Sequence, residues 1–225
     1  SPLVLDLDGN GVNTVSSSNG VVFNLAATLD GAVPTGWVAA GDGLLARDLN
    51  ADGQINDGRE LFGTATQLAD GSAANNGFAA LSELDTNQDG KVTSADAAFG
   101  ELVVWQDANQ DGVANSGELT TLAQRGITEL NLVARLSDAM DNGNWLGLQS
   151  SYTTADNTTH QLVDVWFTQS EAGAAVLSNA LNEYFKPSDG VAGAAANVAG
   201  SLLPQVDDQK KNLLLASVAG AKLTG

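Results

Sequence analysis

One six-residue pattern, Asp-x-Asn-x-Asp-Gly, occurs three times between residues 48 and 112. The copies are Asp48-Leu49-Asn50-Ala51-Asp52-Gly53, Asp85-Thr86-Asn87-Gln88-Asp89-Gly90 and Asp107-Ala108-Asn109-Gln110-Asp111-Gly112. Asp, Asn and Gly are common turn formers, so one copy alone would mean only a turn. Unrelated turns do not repeat the same spacing. The repeat matches the needs of Ca²⁺, which takes six to eight oxygen ligands at about 2.3–2.6 Å. A tight loop supplies side-chain oxygens from positions 1, 3 and 5, bends at a glycine in position 6, adds the carbonyl of position 7 and closes with an acid at position 12.

The loops differ in how far they follow this scheme. The Asp107 loop follows it throughout, with Asp107, Asn109, Asp111, the carbonyl of Val113, and Glu118 at position 12. The Asp85 loop offers Asp85, Asn87, Asp89, the carbonyl of Lys91, and the shorter Asp96 at position 12. In the Asp48 loop, Asp48, Asn50, Asp52 and Gln54 stand at positions 1, 3, 5 and 7, while Glu60 falls at position 13 and Asp57 is an alternative closing acid. The N-terminal run Asp6-Leu7-Asp8-Gly9-Asn10-Gly11 has only the first half, with Asp6, Asp8 and Asn10 as donors and Ser17 at position 12. It reads either as a fourth site of unusual geometry or as a glycine-rich hairpin. An all-protein oxygen cage of this size favours Ca²⁺ over Mg²⁺.

The formal net charge of −18 makes nucleic acid and anionic membranes unsuitable partners, because the chain repels polyanions. Cysteine is absent, so metal ions are the natural substitute for disulfides in an extracellular chain. No apolar run approaches the roughly 20 residues of a membrane span, and no basic segment followed by an apolar core marks a signal peptide.

Leu3–Leu7, Val21–Leu25 and Gly36–Ala39 read as short strands. Helical spacing covers Asn75–Leu84, and further short helices are expected over Ser94–Leu102 and from Ser116 to a terminating Gly126. Beyond that glycine, Ile127–Val133, Trp145–Tyr152 and His160–Phe167 alternate as antiparallel strands do. The expected class is therefore α+β, with short helices and EF-hand-like calcium loops in the first half and an antiparallel sheet in the second. Trp37, Trp105, Trp145 and Trp166 are expected core anchors, and His160 an exposed strand residue. A helix is expected over Glu171–Phe185. The chain divides into a module at 1–186 and, at 187–225, a Gly/Ala-rich linker with an amphipathic helix near Val206–Val218.

Several motifs go beyond calcium loops. Ser1-Pro2-Leu3-Val4-Leu5-Asp6-Leu7-Asp8-Gly9-Asn10-Gly11, Thr35-Gly36-Trp37-Val38, Asp42-Gly43-Leu44-Leu45 and Asp57-Gly58-Arg59-Glu60-Leu61-Phe62-Gly63 occur in order. Asn76-Gly77-Phe78-Ala79-Ala80-Leu81, Val104-Trp105-Gln106-Asp107 and Asp164-Val165-Trp166-Phe167 follow them. Together, over roughly residues 1–170, they resemble the FrpC-type self-processing module of large RTX proteins and adhesins exported by type I secretion.

The resemblance implies a bacterial, secreted or cell-surface module that Ca²⁺ folds after export. It also implies autocatalytic cleavage of an Asp-Pro bond at the N-terminal edge, through an aspartyl anhydride that can pass to a lysine amine as an isopeptide bond. In cis the acceptors would be Lys91, Lys186, Lys210, Lys211 or Lys222. Asp6 and Asp8 would then form the metal site nearest the junction.

Two departures stand out. Ser1 occupies the place of the scissile Asp before Pro2, so the Ser1–Pro2 bond is expected to be inert. Either the Asp has been replaced or Ser1 is foreign to the natural chain. Residues 24–31, where relatives often carry another acidic loop, keep only Asp30. Two other readings stay open: a purely structural, calcium-rigidified adhesin module, and an EF-hand-type sensor. The sensor is disfavoured because one Met in the chain leaves no Met-rich groove.

Overall fold

The longest alternating runs of the sequence make the longest strands. In the computed structural model, which describes residues 1–29 and 31–169, β13 (Asn144–Thr154) and β14 (Thr159–Trp166) form a hairpin. Its register runs from Trp145 opposite Trp166 to Thr153 opposite Thr159, with a bulge between Leu146 and Leu148. Asp156 fastens the turn by accepting from Thr154 Oγ1 at 2.7 Å and from Thr158 N–H at 3.0 Å.

The earlier strands are β1 (Leu3–Leu5), β2 (Thr14–Val15), β3 (Val21–Phe23), β4 (Val33–Thr35), β5 (Trp37–Val38) and β6 (Gly43–Ala46). After them come β7 (Lys91–Thr93), β8 (Val103–Trp105), β9 (Leu119–Thr121), β10 (Ile127–Asn131), β11 (Arg135–Leu136) and β12 (Met140–Asp141). The main sheet has the order β7-β10-β13-β14-β1-β6-β8-β9, and β11 and β12 pair with β13. Its strands pair antiparallel throughout the described residues, and β2–β5 and β3–β4 form two small separate antiparallel ladders.

Strand β1 lies mid-sheet, between β14 and β6, and Leu3, Val4 and Leu5 are all fully buried. A strand covered on both faces calls for a continuous apolar run rather than alternation. The core on one side centres on Trp37, whose ring lies 5.1 Å from Phe23, 5.4 Å from Trp105 and 5.9 Å from Phe167. Tilted and edge-on pairs of this kind add about 0.5–1.5 kcal/mol each beyond the area they bury. Trp145 and Trp166 pair at 4.6 Å, so all four tryptophans are core residues.

The α+β expectation is overturned. Among the described residues the protein is nearly all β, with one α-helix, α1 (Gly77–Ser82), and two 3₁₀ turns at Gly58–Glu60 and Phe99–Glu101. Helix α1 falls inside the expected Asn75–Leu84 segment and is capped by Asn76, whose side chain accepts from Ala79 N–H at 2.8 Å. The second expected helix, Ser94–Leu102, is reduced to the Phe99–Glu101 turn. Asp96 there turns its carboxylate back onto Thr86 and Thr93 N–H groups, which breaks up an Ala-rich stretch of good helical propensity. The third gives way to β9, because Leu119–Thr121 pairs with the exposed edge of β8. Gly126 still ends a turn, at φ +68°, with its N–H on the Ala123 carbonyl. The calcium-type loops are thus hung on strands rather than between EF-hand helices. The expected helix over Glu171–Phe185, the 186/187 boundary and the amphipathic stretch lie outside the described residues.

Candidate functional site

The three repeated loops adopt one conformation. In each, the position-1 carboxylate accepts from the N–H groups of positions 5 and 6. The distances are 3.3 and 2.8 Å at Asp48, 3.2 and 2.9 Å at Asp85, and 3.1 and 2.9 Å at Asp107. In each, the position-7 N–H donates to the position-5 carboxylate: Gln54 to Asp52, Lys91 to Asp89 and Val113 to Asp111, at 2.8–3.0 Å. Position 4 is left-handed in all three, with φ +57° at Ala51, +58° at Gln88 and +57° at Gln110. The glycines at position 6 follow, at φ +78°, +82° and +73° for Gly53, Gly90 and Gly112. A left-handed non-glycine residue costs of order 1 kcal/mol, so its recurrence at one loop position marks a shape held for a purpose.

The closing acids all fold back onto their loops. Glu60 accepts from Leu49 N–H at 3.0 Å and Asn56 N–H at 2.7 Å, so one inserted residue does not prevent closure at position 13. Asp96 accepts from Thr86 at 2.8 Å and Thr93 at 2.9 Å, and its acidity is increased chiefly by the Thr93 N–H. Glu118 accepts from Asn115 N–H at 2.9 Å. Asp57 does not face its loop: it caps the 3₁₀ turn and pairs with Arg59 at 2.6 Å, which lowers its pKa. The Lys91 amine pairs with Glu129 at 2.8 Å, leaving the carbonyl as its only donor toward the loop.

The Asp107 loop is tied to the core. Asp107 is fully buried, and its Oδ2 accepts from the Trp37 indole N–H at 2.8 Å as well as from Gly112. Burial raises its pKa, with the N–H groups opposing. Asp111 stays more acidic than usual through the side chain of Asn115, and Asn109 donates to Asp111 at 2.9 Å. Asn50 and Asn87 make the equivalent bonds to Asp52 and Asp89.

The N-terminal half-loop is a variant of this plan, its position-1 carboxylate accepting from positions 4 and 6 rather than 5 and 6. Asp6 accepts from Gly9 N–H at 2.8 Å and Gly11 N–H at 3.1 Å, and Asp8 accepts from the Asn10 backbone and side chain at 3.2 and 2.7 Å. Its closing acid comes from elsewhere in the chain. Asp42, in the turn between β5 and β6, accepts from Leu7 N–H at 3.3 Å and Asn13 N–H at 2.8 Å. Leu7 is position 2 of this loop, the position that donates to Glu60 and Asp96 in theirs. Asp6, Asp8 and Asp42 bring ligand oxygens within 4.8 Å of one another, a group that can hold a metal ion. Burial raises the Asp42 pKa to about 6, with further contributions from the Asp8 and Asp6 charges. Ser17, formally at position 12, has no part in the closure described by these bonds.

Sequence reasoning missed Asp42 as a donor because it is 36 residues from Asp6. The one signal for it was the Asp42-Gly43-Leu44-Leu45 motif, which carries no spacing information. At every loop the side-chain donors are oxygens, a set suited to a hard cation such as Ca²⁺ rather than to a thiolate-seeking metal.

At the opposite end of β1, Ser1 and Pro2 run beside the segment that leaves the Asp48 loop. Leu3 N–H donates to the Phe62 carbonyl at 3.0 Å, Pro2 bridges Gly63, and the Ser1 carbonyl accepts from Thr64 N–H at 3.2 Å. On the other side the Pro2 carbonyl accepts from Val165 N–H at 3.0 Å. Asp164, opposite Leu3 and fully buried, accepts from Gly77 N–H at 2.6 Å and so fixes the start of α1 to β14. In the chain after β3, Asn24 clasps Thr28 through two hydrogen bonds at 3.0 and 3.1 Å. His160 is half-buried and stacks on Tyr152 at 5.1 Å. Among the described residues no helix is long and apolar enough to cross a membrane.

Comparison with known proteins agrees with these motifs. The SPM domain family matches residues 3–168. Iron-regulated protein FrpA of Neisseria meningitidis serogroup C is 49% identical over 167 residues, which are 73% of this chain. The same residues are 15% of FrpA, so the chain corresponds to a small part of that protein. With the match covering most of its 225 residues, the chain belongs to the SPM domain family.

Proposed function

We propose that this chain is a calcium-folded self-processing module of a secreted RTX-type protein, whose chemistry is cleavage of the peptide bond before Pro2. The observation that carries the reading is the setting of that bond. It is clamped between β14 and the Phe62–Thr64 segment, and that segment leads directly out of a calcium-type loop.

Ca²⁺, when bound, supplies positive charge that lets the clustered carboxylates stay ionised at close range. The chain supplies the rest. Asp48, Asn50, Asp52 and Glu60 hold the first of the repeated loops, and Asp85, Asn87, Asp89, Asp96 and Asp107, Asn109, Asp111, Glu118 hold the other two. The carbonyls of Gln54, Lys91 and Val113 complete them. Asp6, Asp8, Asn10 and Asp42 form the fourth. Holding a carboxyl next to its own main-chain carbonyl converts hydrolysis into an intramolecular acyl transfer, for which effective molarities of about 10⁵–10⁸ M are attainable. Thr64 also lines a cleft of about 640 Å³ with Arg47, Phe62 and Glu83, and water or a lysine amine would take up the acyl product from that side.

Ser1 has no carboxyl, so the chain as it stands is inert at this bond. That same residue favours the second reading, a calcium-rigidified structural module without chemistry. The test is Ser1→Asp in a chain carrying a short N-terminal extension, with Ca²⁺ titrated from a chelated start and products weighed by mass spectrometry. Calcium-dependent release of a fragment starting at Pro2 is expected. An intact chain at saturating Ca²⁺ sinks the self-processing reading and leaves the structural one.

A further inference from the structure

The Ser1–Pro2 amide is held more closely than strand pairing requires. Thr64 meets residue 1 on both sides, its N–H donating to the Ser1 carbonyl at 3.2 Å and its Oγ1 accepting from the Ser1 nitrogen at 3.0 Å. Gly63 presses against the same amide. A Cβ on Gly63 would lie 1.6 Å from the Ser1 carbonyl oxygen, 2.6 Å from its carbon and 3.2 Å from the Pro2 nitrogen. Any side chain there would displace the carbonyl from Thr64.

The donor is fixed by its own turn. Thr66 N–H donates to the Gly63 carbonyl at 3.1 Å, Gly63 N–H donates to Thr66 Oγ1 at 3.0 Å, and Thr66 Oγ1 donates to the Leu61 carbonyl at 2.7 Å. With those groups satisfied, the Thr64 N–H is aimed outward at Ser1 before any chemistry begins.

We infer that Gly63–Thr64 is the carbonyl-polarising element of the self-processing reaction: Thr64 N–H receives the charge that develops on the carbonyl oxygen of residue 1, and Gly63 makes the space for it. The inference rests on the reading that the bond before Pro2 is the one cut. With an aspartate at position 1, its side-chain carboxyl oxygen forms a bond to its own main-chain carbonyl carbon, and the carbonyl π pair moves to the oxygen. Collapse of that intermediate breaks the bond to Pro2, and the bonding pair goes to the Pro2 nitrogen with the proton that the carboxyl gave up. The products are a five-membered cyclic anhydride at position 1 and a free secondary amine at Pro2. Hydrogen bonds to a charged oxygen are shorter and about twice as strong as neutral ones, so a contact of 3.2 Å in the resting amide tightens as charge develops.

The test starts from the extended Ser1→Asp chain in saturating Ca²⁺, reading the rate of fragment release. Replacing the Gly63–Thr64 amide by an ester removes the N–H while keeping every side chain, and Thr64→Pro removes it genetically. Each is expected to slow cleavage about 100-fold or more, the usual loss for one oxyanion donor. Gly63→Ala should do the same by displacing the carbonyl. Thr64→Val keeps the N–H and loses Oγ1, with an expected loss below about tenfold. Melting in Ca²⁺ identifies any variant that fails to fold, and the ester serves as the decisive chain if Thr64→Pro does. A folded ester or Thr64→Pro chain that cleaves at the parent rate overturns the inference and leaves self-processing standing. A Ser1→Asp parent that never cleaves overturns the reading of the bond, and the inference with it.

Discussion

Removing the Asp42 charge should change stability in opposite directions with and without calcium. Asp42 is 1% exposed and faces Asp6 and Asp8. Burial, reinforced by those charges, moves its pKa from the ordinary 3.8 to about 6. The folded chain therefore binds more protons than the unfolded chain between those values, and metal-free stability falls as pH rises through that window. At about 1.4 kcal/mol per pH unit, the ionised carboxylate costs the metal-free fold about 3 kcal/mol at pH 7.5. Asp42→Asn removes that cost but keeps only one acceptor for two donors, Leu7 and Asn13 N–H. The lost bond returns about 1–2 kcal/mol of it.

In chelator at pH 7.5, Asp42→Asn should therefore stabilise the fold by about 1–2 kcal/mol, and the gain should vanish below about pH 4. In calcium the same substitution deletes a ligand charge. A tenfold weaker site forfeits about 1.4 kcal/mol of ligand-linked stability, so the gain in unfolding free energy on adding Ca²⁺ should shrink by that amount. The assay is urea denaturation followed by tryptophan fluorescence, in chelator and in millimolar Ca²⁺, at pH 4 and 7.5. If Asp42→Asn lowers stability equally in chelator and in calcium, Asp42 is only a hydrogen-bond acceptor and the closing-acid role is wrong.

Three further outcomes follow from the same geometry. Trp37→Phe keeps the aromatic stack but leaves the buried Asp107 carboxylate without its indole donor, and should lower stability in calcium by about 2–3 kcal/mol, read by urea denaturation. Glu60→Gln, in the Ser1→Asp chain, should slow fragment release and weaken calcium binding measured by calorimetry. Asp6→Asn should weaken calcium binding with much less effect on the cleavage rate.

What could be read in advance was whatever closes locally. The three loops bond position 1 to positions 5 and 6, all inside the six residues that define the pattern, so spacing alone recovers their shape. The β13–β14 hairpin was equally legible, since Trp145 to Tyr152 and His160 to Phe167 read as alternating strands. The helices at Ser94 and Ser116 were misread because local propensity is a weak force beside a tertiary partner. Asp96 has loop N–H groups to bind, and Leu119–Thr121 has a free edge of β8 to join. Asp42 and Thr64 were illegible for the same reason in reverse: their partners, Asp6 and Ser1, lie 35 or more residues away, brought together by the sheet.

The sheet also decides which loop can govern the junction. Sequence proximity favours Asp6, five residues from Ser1. Those five residues are extended, however, and at about 3.3 Å each they separate the two by about 16 Å, at opposite ends of β1. Pairing confirms the ends: Leu5 lies opposite Gly43, next to Asp42, whereas Pro2 bridges Gly63. The Asp48 loop is far in sequence but adjacent in space. Arg47 N–H donates to the Glu60 carbonyl at 2.8 Å, Ala46 bridges Leu61, and the next residues cross from β6 to β1. Three peptide units then join Glu60 to the Gly63 that bears on the carbonyl of residue 1. Closure of that loop by Glu60 sets where Leu61 begins to pair, and so where Thr64 N–H points. If the bond before Pro2 is the one cut, the irregular closure at position 13 is thus the feature that would couple metal binding to it. The Asp6–Asp42 site acts at the far end, where it pins β1 to β6 and holds the strand that carries residue 1 in register.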